Sequence, residues 1–165
     1  MARLSRLTAL ALVSLIACGD PVADDVAAYH AAMDPLMGEN TRLASQFLVL
    51  AKAVHKDKQG MDGVVQQLET QVIPASKDLS AGISAVEPGI EELADIHQQA
   101  ITAWTLQAQA YEDMAKAFGA NDPAAFASGQ KKLGQAKVTI ESYVKQANRL
   151  LEPYGYHLDE FPPLK

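Results

Sequence analysis

The sequence predicts an all-α fold, specifically an antiparallel up-down four-helix bundle formed by residues 22–152. Along four separate stretches, apolar residues recur at alternating steps of three and four positions, the spacing of one buried helix face. Glycine and proline separate these stretches. No stretch shows the two-residue alternation of a β-strand. Four amphipathic helices with short connections pack most economically as an up-down bundle.

The first segment, residues 1–17, has the composition of a secretory signal peptide. Two arginines precede an apolar run that ends at Ile16, and the small residue Ala17 stands directly before Cys18, the single cysteine of the chain. The apolar run is much shorter than the roughly 20 residues that a membrane-spanning helix needs. We therefore expect a cleaved signal and no transmembrane anchor.

Leu15-Ile16-Ala17-Cys18 resembles the lipobox of bacterial lipoproteins. The resemblance implies cleavage before Cys18, a diacylglyceryl thioether on its sulfur, and usually a third acyl chain on the new amino terminus. Two or more acyl chains hold a protein stably on a bilayer. Residues 18–21 are then the lipidated N-terminus, and no cofactor is expected besides the covalent lipid on Cys18. The alternative is an ordinary signal peptide followed by a free thiol.

Gly19 and Asp20 follow the cysteine. In many Gram-negative lipoproteins an aspartate directly after the cysteine retains the protein in the inner membrane. Here the aspartate stands one position later, so the resemblance implies a lipid-anchored protein of the outer membrane in a Gram-negative host, facing the periplasm or the exterior.

The mature chain would be acidic. Removal of residues 1–17 takes two arginines from the fourteen basic residues and no acid, which leaves twelve against twenty and a charge of −8. This balance excludes nucleic acid as an expected partner. The expected partners are the lipid bilayer, through the Cys18 acyl chains, and an envelope protein of unknown identity.

The first helical line is a heptad-like seam with one polar member, Asn40. A buried asparagine in such a seam commonly fixes the register of neighbouring helices. Lys56 and Lys58 before Gly60 indicate where the helix ends. The seam consists of Val22, Val26, Tyr29, Met33, Leu36, Asn40, Leu43, Phe47, Leu50 and Val54.

The second and third lines are separated by Glu87-Pro88-Gly89, where proline disfavours helix in the preceding residue. Glu91 and Glu92 complement the positive end of the third helix, and Gly119 closes it. The second line is Met61, Val65, Leu68, Val72, Ala75, Leu79, Ile83 and Val86, and the third is Ile90, Leu93, His97, Ile101, Trp104, Ala108, Tyr111, Met114 and Phe118.

The fourth line has the clearest start, because Asp122 supplies an N-cap and Pro123 suits the first helical position. Pro35 and Pro74 lie inside the first two lines, where each removes a backbone hydrogen bond and is expected to kink its helix. The fourth line is Phe126, Gln130, Leu133, Lys137, Ile140, Val144, Ala147 and Leu151, broadened by Ala136 and Tyr143.

The tail, residues 153–165, is rich in aromatic residues and proline. An even number of antiparallel helices would bring it to the same end of the bundle as Cys18. Two interpretations remain open. The tail is either a strap over the end of the bundle or a contact with the membrane interface or a partner, where aromatic rings tolerate partial hydration.

His97 is the candidate cofactor ligand, because it stands on the apolar line of the third helix. Met33 or Met114 could supply a sulfur ligand, a placement that resembles the axial ligands of b-type cytochrome bundles. The alternative is a histidine at the core edge that makes one hydrogen bond. The chain lacks the Cys-x-x-Cys-His sequence of covalent haem and the Glu-x-x-His pairs of di-iron bundles.

His30 and Asp34 are four residues apart on one helix face and are the candidate metal site, with an exposed ion pair as the alternative. No catalytic triad, phosphate-binding loop or calcium loop is present. The sequence therefore predicts a non-catalytic helical-bundle domain for protein interaction or structural support. The alternatives are a haem- or metal-binding bundle, or a small-ligand or chaperone-like binder with grooves opened at Pro35 and Pro74.

Overall fold

The structure, a computed structural model, describes residues 20–56 and 61–159. These ranges are helical and contain no strand, so the predicted all-α class is confirmed. The helices are α1 (Pro21–Lys56), α2 (Met61–Gln67), a π-helical segment (Leu68–Val72), α3 (Ile73–Ser84), α4 (Glu91–Gly119) and α5 (Pro123–Leu151), followed by a 3₁₀ turn (Glu152–Tyr154).

Because α2, the π-helical segment and α3 follow one another without a break, the described residues form four long helical stretches. Within those residues, no helix combines the length and the apolarity needed to cross a bilayer. Cys18, the signal segment 1–17, Gly60 and residues 160–165 lie outside the described residues, as do the side chains of Val54, Lys56 and Met61.

The π-helical segment ends at Val72, two residues before Pro74. Proline has no N–H, so the carbonyl of Thr70 loses the donor that an α-helix would supply four residues later. The backbone N–H of Ile73 instead bonds to the carbonyl of Leu68, five residues back. The predicted disturbance at Pro74 thus takes the form of a widened helical turn. At Pro35, α1 continues in helical conformation.

Side chains at both ends of the helices support their limits. The Asp122 carboxylate accepts hydrogen bonds from the N–H groups of Ala124 and Ala125, each at 3.0 Å, which confirms the predicted cap of α5. The Asp20 carboxylate accepts from the N–H of Val22 at 3.0 Å and begins α1 in the same way. Gly155, with φ of 83°, ends the last turn in the left-handed region that favours glycine.

The described seam positions are buried or half-buried, apart from two that are exposed. Asn40 is buried as predicted, but Val22 is 38% exposed and Gln130 is also exposed, so these two positions were assigned wrongly. Helix α4 is more enclosed than one apolar stripe implies. Its buried residues outside the predicted line include Ala100, Ala103, Gln107, Ala110, Ala115 and Ala117.

Side chains of different helices meet at defined positions. Gly129 of α5 lies close to α4, since an added Cβ there would be 2.5 Å from Cγ of Met114. Other pairs between helices are Phe118 with Phe126, Trp104 with Tyr143, Gln99 with Gln146, Lys77 with Glu112, Ser80 with Thr105, and Gln46 with Gln71.

Residues 152–159 fold back over one end of the helices, as expected of a strap. Leu158 is fully buried. The Asn148 side chain holds its backbone at both ends: Nδ2 donates to the carbonyl of Leu158 at 2.9 Å, and Oδ1 accepts from its N–H at 2.7 Å. On α1, His30 donates from Nε2 to the carbonyl of His157 at 3.0 Å and packs against the ring of Tyr156.

Candidate functional site

The buried histidine of α4, His97, is the centre of a buried cluster of hydrogen-bonded polar groups. His97 is 1% exposed. Its Nδ1 lies 3.0 Å from the hydroxyl of Tyr29, its Nε2 lies 2.9 Å from the carbonyl oxygen of Ile83, and the Tyr29 hydroxyl lies 2.7 Å from that of Tyr143. We call these four residues the histidine–tyrosine chain.

The partners fix the direction of the hydrogen bonds. A carbonyl oxygen can only accept, so Nε2 of His97 carries a proton and donates it to Ile83. In the neutral ring Nδ1 must then accept, and the Tyr29 hydroxyl donates to it. The Tyr143 hydroxyl consequently donates to the oxygen of Tyr29.

Burial keeps every member of the histidine–tyrosine chain uncharged at neutral pH. Desolvation lowers the pKa of His97, and the hydrogen bond to the Ile83 carbonyl opposes this shift. Burial raises the pKa of Tyr29 to about 12, against the hydrogen bond from Tyr143, and it raises the pKa of Tyr143 as well. The histidine–tyrosine chain is thus buried and uncharged, and it presents no acid, base or nucleophile to solvent.

The histidine–tyrosine chain joins all four helical stretches. Tyr29 belongs to α1, Ile83 to α3, His97 to α4 and Tyr143 to α5. Its bonds form only when the four stretches have one particular relative rotation and height, so it specifies their packing. The sequence placed both tyrosines on apolar seams and missed this role. The available signal was that a buried tyrosine hydroxyl usually needs a partner.

The residues around His97 do not fit a haem. Both ring nitrogens are already hydrogen-bonded, so no lone pair is free for an iron without breaking the bond to Tyr29. Met33 and Met114 are fully buried in the core. The alternative in the sequence prediction was also inaccurate, because His97 is inside the core rather than at its edge and makes two hydrogen bonds rather than one.

The lowered pKa of His97 predicts a loss of stability in mild acid. The unfolded chain binds the proton at the ordinary histidine pKa of about 6.5, whereas the folded chain resists it. Between these two pKa values the unfolded state holds more protons, so the free energy of unfolding falls as the pH drops below about 6.5. Urea midpoints measured from pH 7.5 to pH 5 check this.

His97→Gln should flatten that pH dependence, because glutamine cannot take up the proton. His157→Gln is the matched control, since the His157 side chain is exposed and outside the histidine–tyrosine chain. An unchanged slope in His97→Gln would show that other groups set the acid sensitivity.

His30 and Asp34 share a face of α1, as predicted, but His30 is used elsewhere. Its Nε2 bonds to the strap and its ring packs on Tyr156, while Asp34 is exposed. Among the described residues, no group of three or more histidine, cysteine, aspartate or glutamate side chains is placed to hold a metal ion. His30 therefore serves as a contact between α1 and the strap.

Asn40 centres a second buried polar group. Its Oδ1 accepts from Nε1 of Trp104 at 3.0 Å and from Nε2 of Gln107 at 3.1 Å. Its Nδ2 has no hydrogen-bond partner among the described residues. The predicted polar position in the seam thus binds α1 to α4, consistent with a role in register.

One groove adjoins Pro35, as the ligand-binder alternative expected. It has a volume of about 470 Å³ and lies between α1 and the end of α3, with Tyr29 and Gly82 among its walls. Pro74 does not line it. Its rim carries two carboxylates, Asp25 and Glu87.

The chain matches no protein-family model, no curated protein and no solved structure. A functional assignment therefore depends on its own residues.

Proposed function

We propose that the protein is a lipid-anchored bacterial envelope lipoprotein, tethered through Cys18, whose bundle acts without catalysis in protein interaction or structural support. The observation that carries the proposal is the short distance in sequence between the lipobox cysteine and the first helix. Helix α1 begins at Pro21, and Asp20 caps it. This leaves almost no tether, so the helices stand directly on the bilayer.

The order of contacts between helices supports an antiparallel up-down arrangement. In the contacts between α4 and α5, and between α3 and α4, the residue number increases along one helix as it decreases along the other, which is the pattern of antiparallel neighbours. Between α1 and α4 the residue numbers increase together. The supporting pairs are Phe118–Phe126, Trp104–Tyr143 and Gln99–Gln146, then Lys77–Glu112 and Ser80–Thr105, then Tyr29–His97, Asn40–Trp104 and Phe47–Tyr111.

The strap supports the same orientation. His30, which holds it, lies in the third turn of α1, about 14 Å from the helix start at 1.5 Å per residue. The C-terminal strap and the lipidated N-terminus then share the membrane-facing end. The opposite end of the bundle, about 50 Å away along the 36-residue α1, is presented to the periplasm or the exterior.

The non-catalytic role is supported by the state of the ionisable core residues. His97 has both nitrogens occupied and a lowered pKa, and the tyrosines joined to it are neutral. A general base needs an accessible lone pair near a substrate. The histidine–tyrosine chain instead stabilises one packing of the helices.

Cys18→Ser should abolish lipidation and release the protein from the membrane fraction, because a serine hydroxyl cannot form the thioether. Mass spectrometry of the purified protein and immunoblotting of membrane and soluble fractions check this. Gly19→Ala is the matched control, since it leaves Ala17 and Cys18 in place and should keep the acyl chains.

In a Gram-negative host, Gly19→Asp should shift the protein from the outer to the inner membrane, because aspartate would then follow the cysteine directly. Acyl chains that persist in Cys18→Ser, or a mature terminus without fatty acid in the wild type, would contradict the anchor. A wild-type protein already in the inner membrane would contradict the outer-membrane assignment alone.

A further inference from the structure

An apolar groove lies between α1 and α5, far from the proposed anchor. Phe47 and Leu48 form its α1 wall, Leu133 and Gly134 form its α5 wall, and Tyr111 of α4 lies at its base. Its volume is about 310 Å³, at the lower end of the range for small-molecule sites, which are typically apolar with a few polar groups. The large apolar side chains Phe47, Leu48 and Leu133 remain partly exposed here.

A second cavity without a charged lining residue adjoins the groove. This cavity, about 110 Å³, shares Phe47 and Gln130 with the groove and is otherwise lined by apolar side chains such as Leu68, Phe118 and Phe126. The two spaces follow α5 from residue 137 to residue 126, about 16 Å at 1.5 Å per residue.

Of the polar side chains that line this space, Gln130 lines both cavities, whereas Gln107 and Lys137 line the groove alone. Among the described residues that line it, Lys137 carries the one charge, and it stands at the groove end away from the second cavity. Gln107 is 97% buried at the base of the groove, where its amide donates to Asn40. The groove thus has a cationic residue at one end, and the second cavity is lined by apolar side chains apart from Gln130.

We infer that this groove binds a single-chain anionic amphiphile, with the alkyl chain along Phe47 and Leu133 and the anionic head group at Lys137. Lys137, the charged residue of the described lining, forms an exposed ion pair with Glu141 at 3.6 Å, a weak contact that an anionic head group at the groove would replace. The protein's own lipid is excluded as the occupant, because Phe47 lies about 39 Å along α1 from Pro21, which follows Cys18 closely. The inference is independent of the proposed envelope role.

The test uses cis-parinaric acid, a fluorescent fatty acid, and its uncharged methyl ester as probes. Both are titrated into the full chain carrying Cys18→Ser, so that attached acyl chains do not take up the probe outside the groove. We expect saturable binding of the acid at one site per chain. Absence of saturable binding would overturn the inference.

Gly134→Leu tests the location of the site. An added Cβ at Gly134 meets nothing within 4 Å, so leucine fills the groove without disturbing the fold. We expect the affinity for the acid to fall about tenfold or more, because the alkyl chain loses its space. Gly38→Leu is the matched control, since Gly38 is equally unobstructed but lies outside the groove. Equal binding by the two variants would overturn the inference.

Lys137→Gln tests the head group. We expect affinity for the acid to fall about two- to fivefold, the range of a solvent-exposed ion pair, with no change for the methyl ester. Lys145→Gln, an exposed α5 lysine outside the groove, is the control. If wild-type and Lys137→Gln chains bind the acid equally, the assigned anionic class is wrong. A probe-free dimer that Gly134→Leu converts to a monomer, with no probe binding, would show instead that the groove joins two copies.

Discussion

Trp104→Ala should lower the free energy of unfolding by about 3–5 kcal/mol, the usual cost of removing a fully buried tryptophan side chain. The Trp104 ring is 1% exposed and meets Tyr143 edge-on at 5.7 Å between ring centroids. Its removal leaves a large cavity between α4 and α5 and also removes one of the two hydrogen bonds to Asn40. Urea denaturation followed by circular dichroism measures the change.

Two further variants separate these contributions. Trp104→Phe keeps most of the buried ring volume but loses the N–H donor. It should therefore lower the free energy of unfolding less than Trp104→Ala, because it removes a hydrogen bond without opening a large cavity. Val138→Ala, at a position that is 66% exposed on α5, should change stability by no more than about 0.5 kcal/mol. A loss below about 1 kcal/mol in Trp104→Ala would mean that α4 is rotated relative to the structure.

Gly129→Ala and Gly134→Ala should change stability in opposite directions. At an unobstructed helical site alanine stabilises by about 0.5–1 kcal/mol relative to glycine, and at Gly134 the added Cβ meets nothing within 4 Å. At Gly129 it would lie 2.5 Å from Cγ of Met114 and 3.3 Å from its backbone nitrogen. Overpacking of this kind costs about 1–3 kcal/mol. Because the two sites lie on the same helix, each controls for the other.

Thermal unfolding midpoints measure both changes. The decisive quantity is the difference in unfolding midpoint between the two variants, because helix propensity alone would change both midpoints equally. If Gly129→Ala were as stable as Gly134→Ala, α4 and α5 would be farther apart than the structure has them.

The helical periodicity and the punctuation of the sequence predicted the fold class and most of the core. A step of three or four residues identifies a buried face because only that face stays on one side of a helix. The caps were equally local: Asp122 and Pro123 act within one turn, and their prediction was confirmed. Local rules therefore predicted the limits of α5 well.

The polar connections could not be predicted in the same way, because they join residues far apart in sequence. The bond between Tyr29 and Tyr143 depends on the relative rotation and height of α1 and α5, which no single helix encodes. His97 could be placed on a buried face, but its two partners come from α1 and α3. The distinction between a candidate haem ligand and a packing element depended on those partners.

The periodicity of a single apolar face also could not predict that α4 is buried on more than one side. Alanine is so small that it is compatible with either a surface or a core, and its burial depends on how many neighbours surround the helix. Ala100, Ala103 and Ala110 are fully buried because other helices contact α4 on several sides. Gln130 shows the converse: it continues a perfect apolar spacing yet remains exposed beside the groove.

The clamp between Asn148 and Leu158 constrains when folding can finish. Leu158 emerges after all four helical stretches, yet the site that receives it is built from the C-terminal part of α5 and lies beside α1. During synthesis, this site stays unfilled until nearly the whole described chain is available. Packing of the strap therefore completes late in synthesis, and truncation just before Leu158 would leave an apolar site beside α5 and α1 unfilled.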